Sequence, residues 1–305
     1  MINSVDDRLL VILGPTASGK TRIAVLVASI LGGEILSADS RQIYQGMDIG
    51  TGKDLTEYHY QGKDIPYHLI DIVPAGERYN VYRYMKDFYH VYREVKKRGA
   101  VPLLCGGSGL YIEAVCQGFD MPHVPENKEL RLQCASMGHQ DLIDSLASYS
   151  CLHNTTDTQS RKRLIRAIEI AAWKQSHPFS TTDYPKIHPE LVGLCLPVDE
   201  RRARIDQRLE LRLKNGMIEE AERLMIRGLT VDDMVYYGLE YKYLAHYRTG
   251  MLSFAEMKQR LRFAIHQFAK RQMTWFRGME RRGLSIRWID VMLPENEIVK
   301  KVLSQ

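Results

Sequence analysis

The chain has 305 residues, 45% of them hydrophobic and 26% charged, with a formal net charge of +5. That size holds one large core, or one core with a smaller unit inserted or appended, and the balance excludes wholesale disorder. No run of about 18 uncharged apolar residues occurs, and Asp6, Asp7 and Arg8 replace a signal pattern, so neither a membrane span nor export is expected.

Residues 9–13 are apolar throughout and end at Gly14 and Pro15, which reads as a buried strand stopped by turn formers. Gly14, Pro15, Thr16, Ala17, Ser18, Gly19, Lys20 and Thr21 then fit G-x-x-x-x-G-K-[ST] in full. Such a loop presents backbone N–H groups to phosphate oxygens, and the helix behind it adds its positive end. Lys20 would neutralise phosphate charge, and the Thr21 hydroxyl would ligate Mg²⁺. Residues 20–31 have helical composition and stop at Gly32 and Gly33. Further strands are expected over 34–38, 67–72 and 101–105, with a long helix over 82–97 before the last of them. Strands alternating with helices imply an α/β fold with a parallel sheet covered on both faces, here a P-loop core.

A P-loop specifies phosphate binding and leaves the reaction open. No strand ends in a convincing Walker-B acid: Ile70-Asp71 is the nearest, and 101–105 runs into Cys105 and glycines. Asp39, just past the second strand, is expected in the crevice at the carboxyl ends of the strands, beside the P-loop. It suits a proton acceptor, a group behind the Mg²⁺ ion or a helix cap.

After Gly118 the pattern changes. Residues 125–180 have helical periodicity, and 191–196 returns as an apolar strand. Residues 1–118 and 191–305 are therefore expected to form the core, with 119–190 an inserted helical domain. Residues 199–228 and 253–282 read as two long, basic, amphipathic helices. From Lys258 to Arg287 there are nine Lys or Arg residues against one acid, Glu280, with Phe263, Phe268, Trp275 and Phe276 between them. That is the footprint of a polyanion partner, or a solvated basic face. The five cysteines lie far apart without paired ligand spacing, as in a reduced, cytoplasmic protein.

Taken in order, the motifs resemble the tRNA dimethylallyltransferases, also called tRNA isopentenyl transferases. The likeness runs from the P-loop through Asp39-Ser40-Arg41-Gln42-Ile43-Tyr44, Gly46-Met47-Asp48-Ile49-Gly50-Thr51 and His68-Leu69-Ile70-Asp71. It continues through Gly106-Gly107-Ser108-Gly109-Leu110-Tyr111 and Arg163-Leu164-Ile165-Arg166-Ala167-Ile168-Glu169, and ends with Lys270-Arg271-Gln272-Met273-Thr274-Trp275-Phe276-Arg277. The resemblance implies transfer of a dimethylallyl group from dimethylallyl diphosphate to N6 of adenosine 37, in the anticodon stem-loop of tRNA. The P-loop would then grip the leaving diphosphate, with Thr21-bound Mg²⁺ as cofactor. Asp39 would accept the N6 proton, Arg208 would reach the diphosphate from the other side, and Ser108 stands where the family usually has Thr. Implied tRNA contacts are Asp39, Ser40, Arg41, Gln42, Ser108, Arg131, Lys162, Arg163, Leu164, Ile165, Arg166, Lys270, Arg271 and Arg277. A protein of the bacterial type is expected, since the zinc-finger extension of eukaryotic relatives does not follow, and a monomer is expected as well.

Two segments depart from the family pattern. The usual Gly-Thr-Ala-Lys-Pro reads Gly50-Thr51-Gly52-Lys53-Asp54, and the usual Gly-Tyr-Arg/Lys reads Gly238-Leu239-Glu240. A small-molecule phosphotransferase would share the P-loop but not the basic C-terminal helices. An adenylate isopentenyltransferase would need no tRNA platform. An RNA-binding protein with a relict loop would not keep Lys20, Thr21 and Asp39 together.

Overall fold

The computed structural model describes residues 7–149, 160–177 and 184–304. It divides into two compact units, Met1–Gly118 with Pro185–Gln305, and Phe119–Tyr184. The first is built on six parallel strands, β1 (Arg8–Leu13), β2 (Gly33–Ala38), β3 (Tyr67–His68), β4 (Val101–Gly106), β5 (His188–Cys195) and β6 (Ile286–Asp290). Their order is β6-β5-β1-β4-β2-β3. Residues of β1, β2 and β4 are buried on both faces, which is why each reads as a nearly unbroken apolar run.

Register decides what the sheet presents. Leu13 pairs with Gly106 on one side and Gly193 on the other, and Ala38 pairs with Gly106. Strands β1, β4 and β2 therefore finish level. The residues just beyond them, Gly14, Gly107 and Asp39, open on one crevice.

Helix α1 (Lys20–Leu31) buries Ile23 to Ala28 against the sheet, and α12 (Glu295–Leu303) joins the same apolar cluster through Ile298, Val299 and Val302. Helix α2 (Val81–Lys97) starts from an Asn80 cap and buries Tyr84, Phe88 and Tyr92 along one stripe. Helix α3 (Gly109–Gln117) leaves β4 through the glycine run.

Two expectations change. The third strand is two residues long instead of six, because Leu69 and Asp71 take left-handed backbone conformations (φ 63° and 55°) that no strand continues through. Asp71, the nearest Walker-B candidate, turns to the buried ammonium of Lys53, which also bonds Asp48 (2.7 Å) and the Tyr44 carbonyl (2.8 Å). The long helix expected over 199–228 is two, α7 (Val198–Lys214) and α8 (Met217–Ile226). Gly216 between them sits at φ 98°, open to glycine and strained for any other residue. The helices α9 (Val231–Tyr237) and α10 (Leu239–Arg248) and strand β6 had no clear signal in the chain.

The helix expected over 253–282 is α11 (Phe254–Arg281), opened by a reciprocal capping box between Ser253 and Glu256. Its inward stripe runs Leu261, Ile265, Ala269, Gln272, Phe276 and Met279.

The second unit packs α4 (Lys128–Ser136), α5 (His139–Tyr149) and α6 (Arg161–Ser176) around Cys134, Leu142, Leu146, Leu164 and Ile168. Glu169 is buried there. Burial pushes its carboxyl up, but Arg131 (2.7 and 2.8 Å), the Asn127 amide (2.9 Å) and Arg166 (3.0 Å) outweigh that and hold it at about 2.

Candidate active site

The P-loop curls over the end of β1. Ala17 and Gly19 both take left-handed conformations (φ 64° and 76°), the alternation that turns successive N–H groups toward one centre. Ser18 Oγ is buried inside the loop and, among the described residues, has no hydrogen-bond partner. The Lys20 ammonium lies 3.5 Å from the Pro15 carbonyl. Desolvation lowers its pKa, while Cys105 and Asp39 pull the other way. An ammonium in such surroundings gains from an anion beside it.

A cavity of about 580 Å³ spreads from this loop across the ends of β1, β4 and β2. Lys20, Thr21, Asp39, Ser108, Arg208 and Arg212 all line it. A larger hollow, about 1190 Å³, opens near Gly33 and Ala100 at the amino ends of the strands and contains none of these groups. Strand-end chemistry marks the smaller one.

Asp39 accepts the Arg41 amide on Oδ1 at 2.9 Å. Among the described residues no group donates to its second oxygen. The Ser40 amide donates to the Ser108 hydroxyl (2.9 Å), which in turn donates to Ser40 Oγ (3.1 Å), and the Ser108 amide bonds the Ala38 carbonyl (3.0 Å). The acid and the hydroxyl are thus fixed to each other across β2 and β4. Cys105 sits beneath them, and burial pushes its thiol up to about 12, so it is no nucleophile at neutral pH.

The opposite wall is cationic. Arg208 donates to the Gly52 carbonyl at 3.1 Å and Arg212 to the Gly50 carbonyl at 3.4 Å. Their neighbour one turn back, Arg204, is bound to Glu200 (2.7 Å) instead, so the arginine stripe of α7 divides between surface and cavity. The loop that receives the arginines hangs from buried Glu220, which accepts the amides of Asp48, Ile49 and Gly50 at 2.8–2.9 Å and the Tyr241 hydroxyl at 2.7 Å. Gly52 has φ 68°, and a Cβ there would stand 1.5 Å from Arg212 Nη2, which accounts for glycine where the family pattern has alanine. Asp54 replaces the proline and caps the short helix Leu55–Tyr58 through the Thr56 amide (3.1 Å). Glu240, in the position of an Arg or Lys, lies 3.9 Å from Arg212.

Helix α11 closes the site from above the glycine run. Gln272 stands in the motif from Lys270 to Arg277, but its bracketing role is not legible there: its Oε1 accepts the Thr16 amide (2.8 Å) and its amide donates to the Gly107 carbonyl (2.9 Å). One buried side chain thereby brackets the P-loop to β4. A polar residue on an otherwise apolar stripe was the available signal. Trp275 donates to buried Glu113 (2.9 Å), which Arg282 grips with two bonds.

The residues expected to meet RNA fall in two places. Asp39, Ser40, Arg41, Gln42, Ser108 and Arg271 line the cavity, and Lys270, Arg271 and Arg277 are exposed on α11. Arg41 is already engaged with the Tyr236 carbonyl (2.6 Å). In the second unit Lys162 and Arg163 are exposed. Arg131 and Arg166 are committed to Glu169. Leu164 is fully buried in that unit's core, so its side chain packs there. Ile165 packs against the same cluster.

Among the described residues no three His, Cys, Asp or Glu side chains are placed to hold a cation. Thr21 nevertheless lines the cavity with Asp39, an oxygen set that suits Mg²⁺, which keeps several waters and takes phosphate oxygens from its substrate in place of a protein cage. No helix among the described residues is long and apolar enough to cross a membrane.

A family model described as IPP transferase matches residues 42–279, and one described as isopentenyl transferase matches residues 7–64. The chain is 52% identical over 295 residues to tRNA dimethylallyltransferase 1 of Porphyromonas gingivalis, covering 97% of this chain and 98% of that protein. It is 50% identical over 297 residues to tRNA dimethylallyltransferase 2 of Bacteroides fragilis, covering 97% of each. The fold matches the full-length tRNA isopentenylpyrophosphate transferase of Bacillus halodurans with a TM-score of 0.72 at 31% identity, over 97% of this chain and 94% of that one.

Proposed function

The chain belongs to the IPP transferase family, and from that premise we propose that it transfers the dimethylallyl group of dimethylallyl diphosphate to N6 of adenosine 37 in tRNA, releasing diphosphate. The observation that carries this reading is the meeting, in one cavity, of the P-loop ammonium and an arginine guanidinium with a carboxylate whose second oxygen has no donor among the described residues.

The chemistry follows from that pairing. The allylic C–O bond breaks and its electron pair leaves on the diphosphate, whose growing charge is met by the loop amides, Lys20 and Arg208. The N6 lone pair forms the new bond to the allylic carbon, and the proton that N6 must lose passes to Asp39. When bound, Mg²⁺ held through Thr21 supplies further charge neutralisation to the leaving diphosphate. Ser108, locked to Ser40, orients groups beside the carboxylate. Adenine must leave its stack to reach an acid this far inside, so a cavity suits the reaction better than a groove. Lys270, Arg271 and Arg277 offer the tRNA backbone its counter-charge. A protein acting on tRNA as a monomer in the cytoplasm completes the reading.

Purified protein incubated with dimethylallyl diphosphate, Mg²⁺ and unmodified tRNA should yield N6-dimethylallyladenosine on nucleoside mass spectrometry. Consumption of nucleoside triphosphate with every adenosine left unprenylated would overturn the proposal.

A further inference from the structure

We propose that Arg212 is a second diphosphate-binding residue of the cavity, with Glu240 serving as its counter-ion until the ligand arrives. The inference rests on reading the cavity as a diphosphate site.

Two structural arginines elsewhere in this molecule make bidentate ion pairs. Arg131 meets Glu169 with two bonds of 2.7 and 2.8 Å, and Arg98 meets Glu34 with two of 3.1 and 2.7 Å. Such bidentate geometry is what a guanidinium adopts when holding structure is its role. Arg212 is different. It makes one long hydrogen bond, 3.4 Å to the Gly50 carbonyl, and its nearest carboxylate oxygen is 3.9 Å away on Glu240. Among the described residues no other acceptor engages its five N–H donors.

Its surroundings make that shortfall costly. Side-chain exposure of Arg212 is only 16%. Burial first, and the like charge of Arg208 second, bring its pKa down to about 10. Glu240 compensates incompletely, since burial pushes its own carboxyl up. Arg208 and Arg212 stand one helical turn apart on α7, and their Nη2 atoms flank the same point beside Gly52. Two guanidiniums so close repel each other unless an anion lies within reach of both.

The arrangement is also held in place before any ligand binds. Glu220 anchors the loop at three successive amides, and that loop's Gly50 and Gly52 carbonyls fix the two arginines. Donors pre-aimed in this way suit a multiply charged anion with several acceptor oxygens. A diphosphate provides those, whereas a neutral prenyl or base group does not.

The test uses the full chain and inorganic diphosphate with Mg²⁺, titrated by calorimetry, with tRNA binding measured in parallel. Arg212→Gln should weaken diphosphate binding about tenfold or more, as loss of a charge-assisted contact does, while tRNA affinity stays within about twofold. Glu240→Gln should tighten diphosphate binding by about threefold or more, since a competing carboxylate is gone. Both shifts are required. Diphosphate binding of Arg212→Gln within about twofold of wild type, or an equal loss for tRNA, overturns the inference. Should Arg212→Gln fail to fold by circular dichroism, Glu240→Gln decides alone, and unchanged or weaker binding overturns it. Wild-type protein that binds no diphosphate would end the proposed function as well. Normal binding by Arg212→Gln beside a defect in Arg208→Gln would end only this inference.

Discussion

Asp39 owes its place to the register of β2 against β4, and its proposed chemistry to the oxygen that Arg41 leaves free. Asp39→Ala should cut prenyl transfer by about 10² to 10⁴, the worth of a positioned base, while leaving tRNA affinity nearly intact. Single-turnover assays beside a binding titration would reveal this, and wild-type turnover by the variant would refute the base. Gly52 is a different kind of residue, chosen by what surrounds it. Gly52→Ala forces a methyl group into the space of Arg212 at a backbone angle that disfavours it, and should cost about 1–2 kcal/mol in urea unfolding. An unaltered unfolding midpoint would mean that the loop yields more easily than the hydrogen bonds of Glu220 suggest.

Helix α11 has two faces with two jobs. Gln272, Phe276 and Met279 turn inward, while Lys270, Arg271 and Arg277 stay in solvent. Replacing Lys270 and Arg271 by Ala should weaken tRNA binding and reduce the slope of log affinity against log salt by about 1–2. A slope identical to wild type would remove this helix from the RNA surface. In the second unit, the joint between α4 and α6 rests on Glu169. Its carboxyl titrates at about 2 in the folded chain against an ordinary value of 4.5, so its stabilisation is complete above about pH 4.5 and is lost as pH falls toward 2. Glu169→Gln removes the buried anion shared by Arg131 and Arg166, leaving Arg131 only the exposed Glu126, and should destabilise the unit by about 2 kcal/mol at neutral pH. Hydrogen exchange in α4 and α6 would report it, and protection equal to wild type would show the pair to be dispensable.

At the scale of the whole molecule, Gln272 ties the basic helix to the phosphate loop through the Thr16 amide and the Gly107 carbonyl. Gln272→Met keeps the volume but strands the buried Gly107 carbonyl, at a cost of about 1–3 kcal/mol, and frees the half-buried Thr16 amide to the cavity. The protein should melt several degrees lower, and added diphosphate with Mg²⁺ should restore part of the loss by binding only the folded state. No recovery on adding the ligand would argue that the P-loop is already ordered without this bracket.

The chain by itself determined the local elements and the chemistry of the loop. Apolar runs marked β1, β2 and β4, the motif from Gly14 to Thr21 marked the anion nest, and the basic amphipathic pattern over 253–282 marked α11, because each depends on residues close in sequence. Tertiary structure decided the rest. That Arg212 enters the cavity while Arg204 does not, that Glu220 holds a loop about 170 residues upstream, and that Leu164 lies in the core of its unit all depend on partners distant in the chain. A hydrogen-bonding pattern within one turn is written in adjacent residues. The fate of a charge is written only in what the fold places against it.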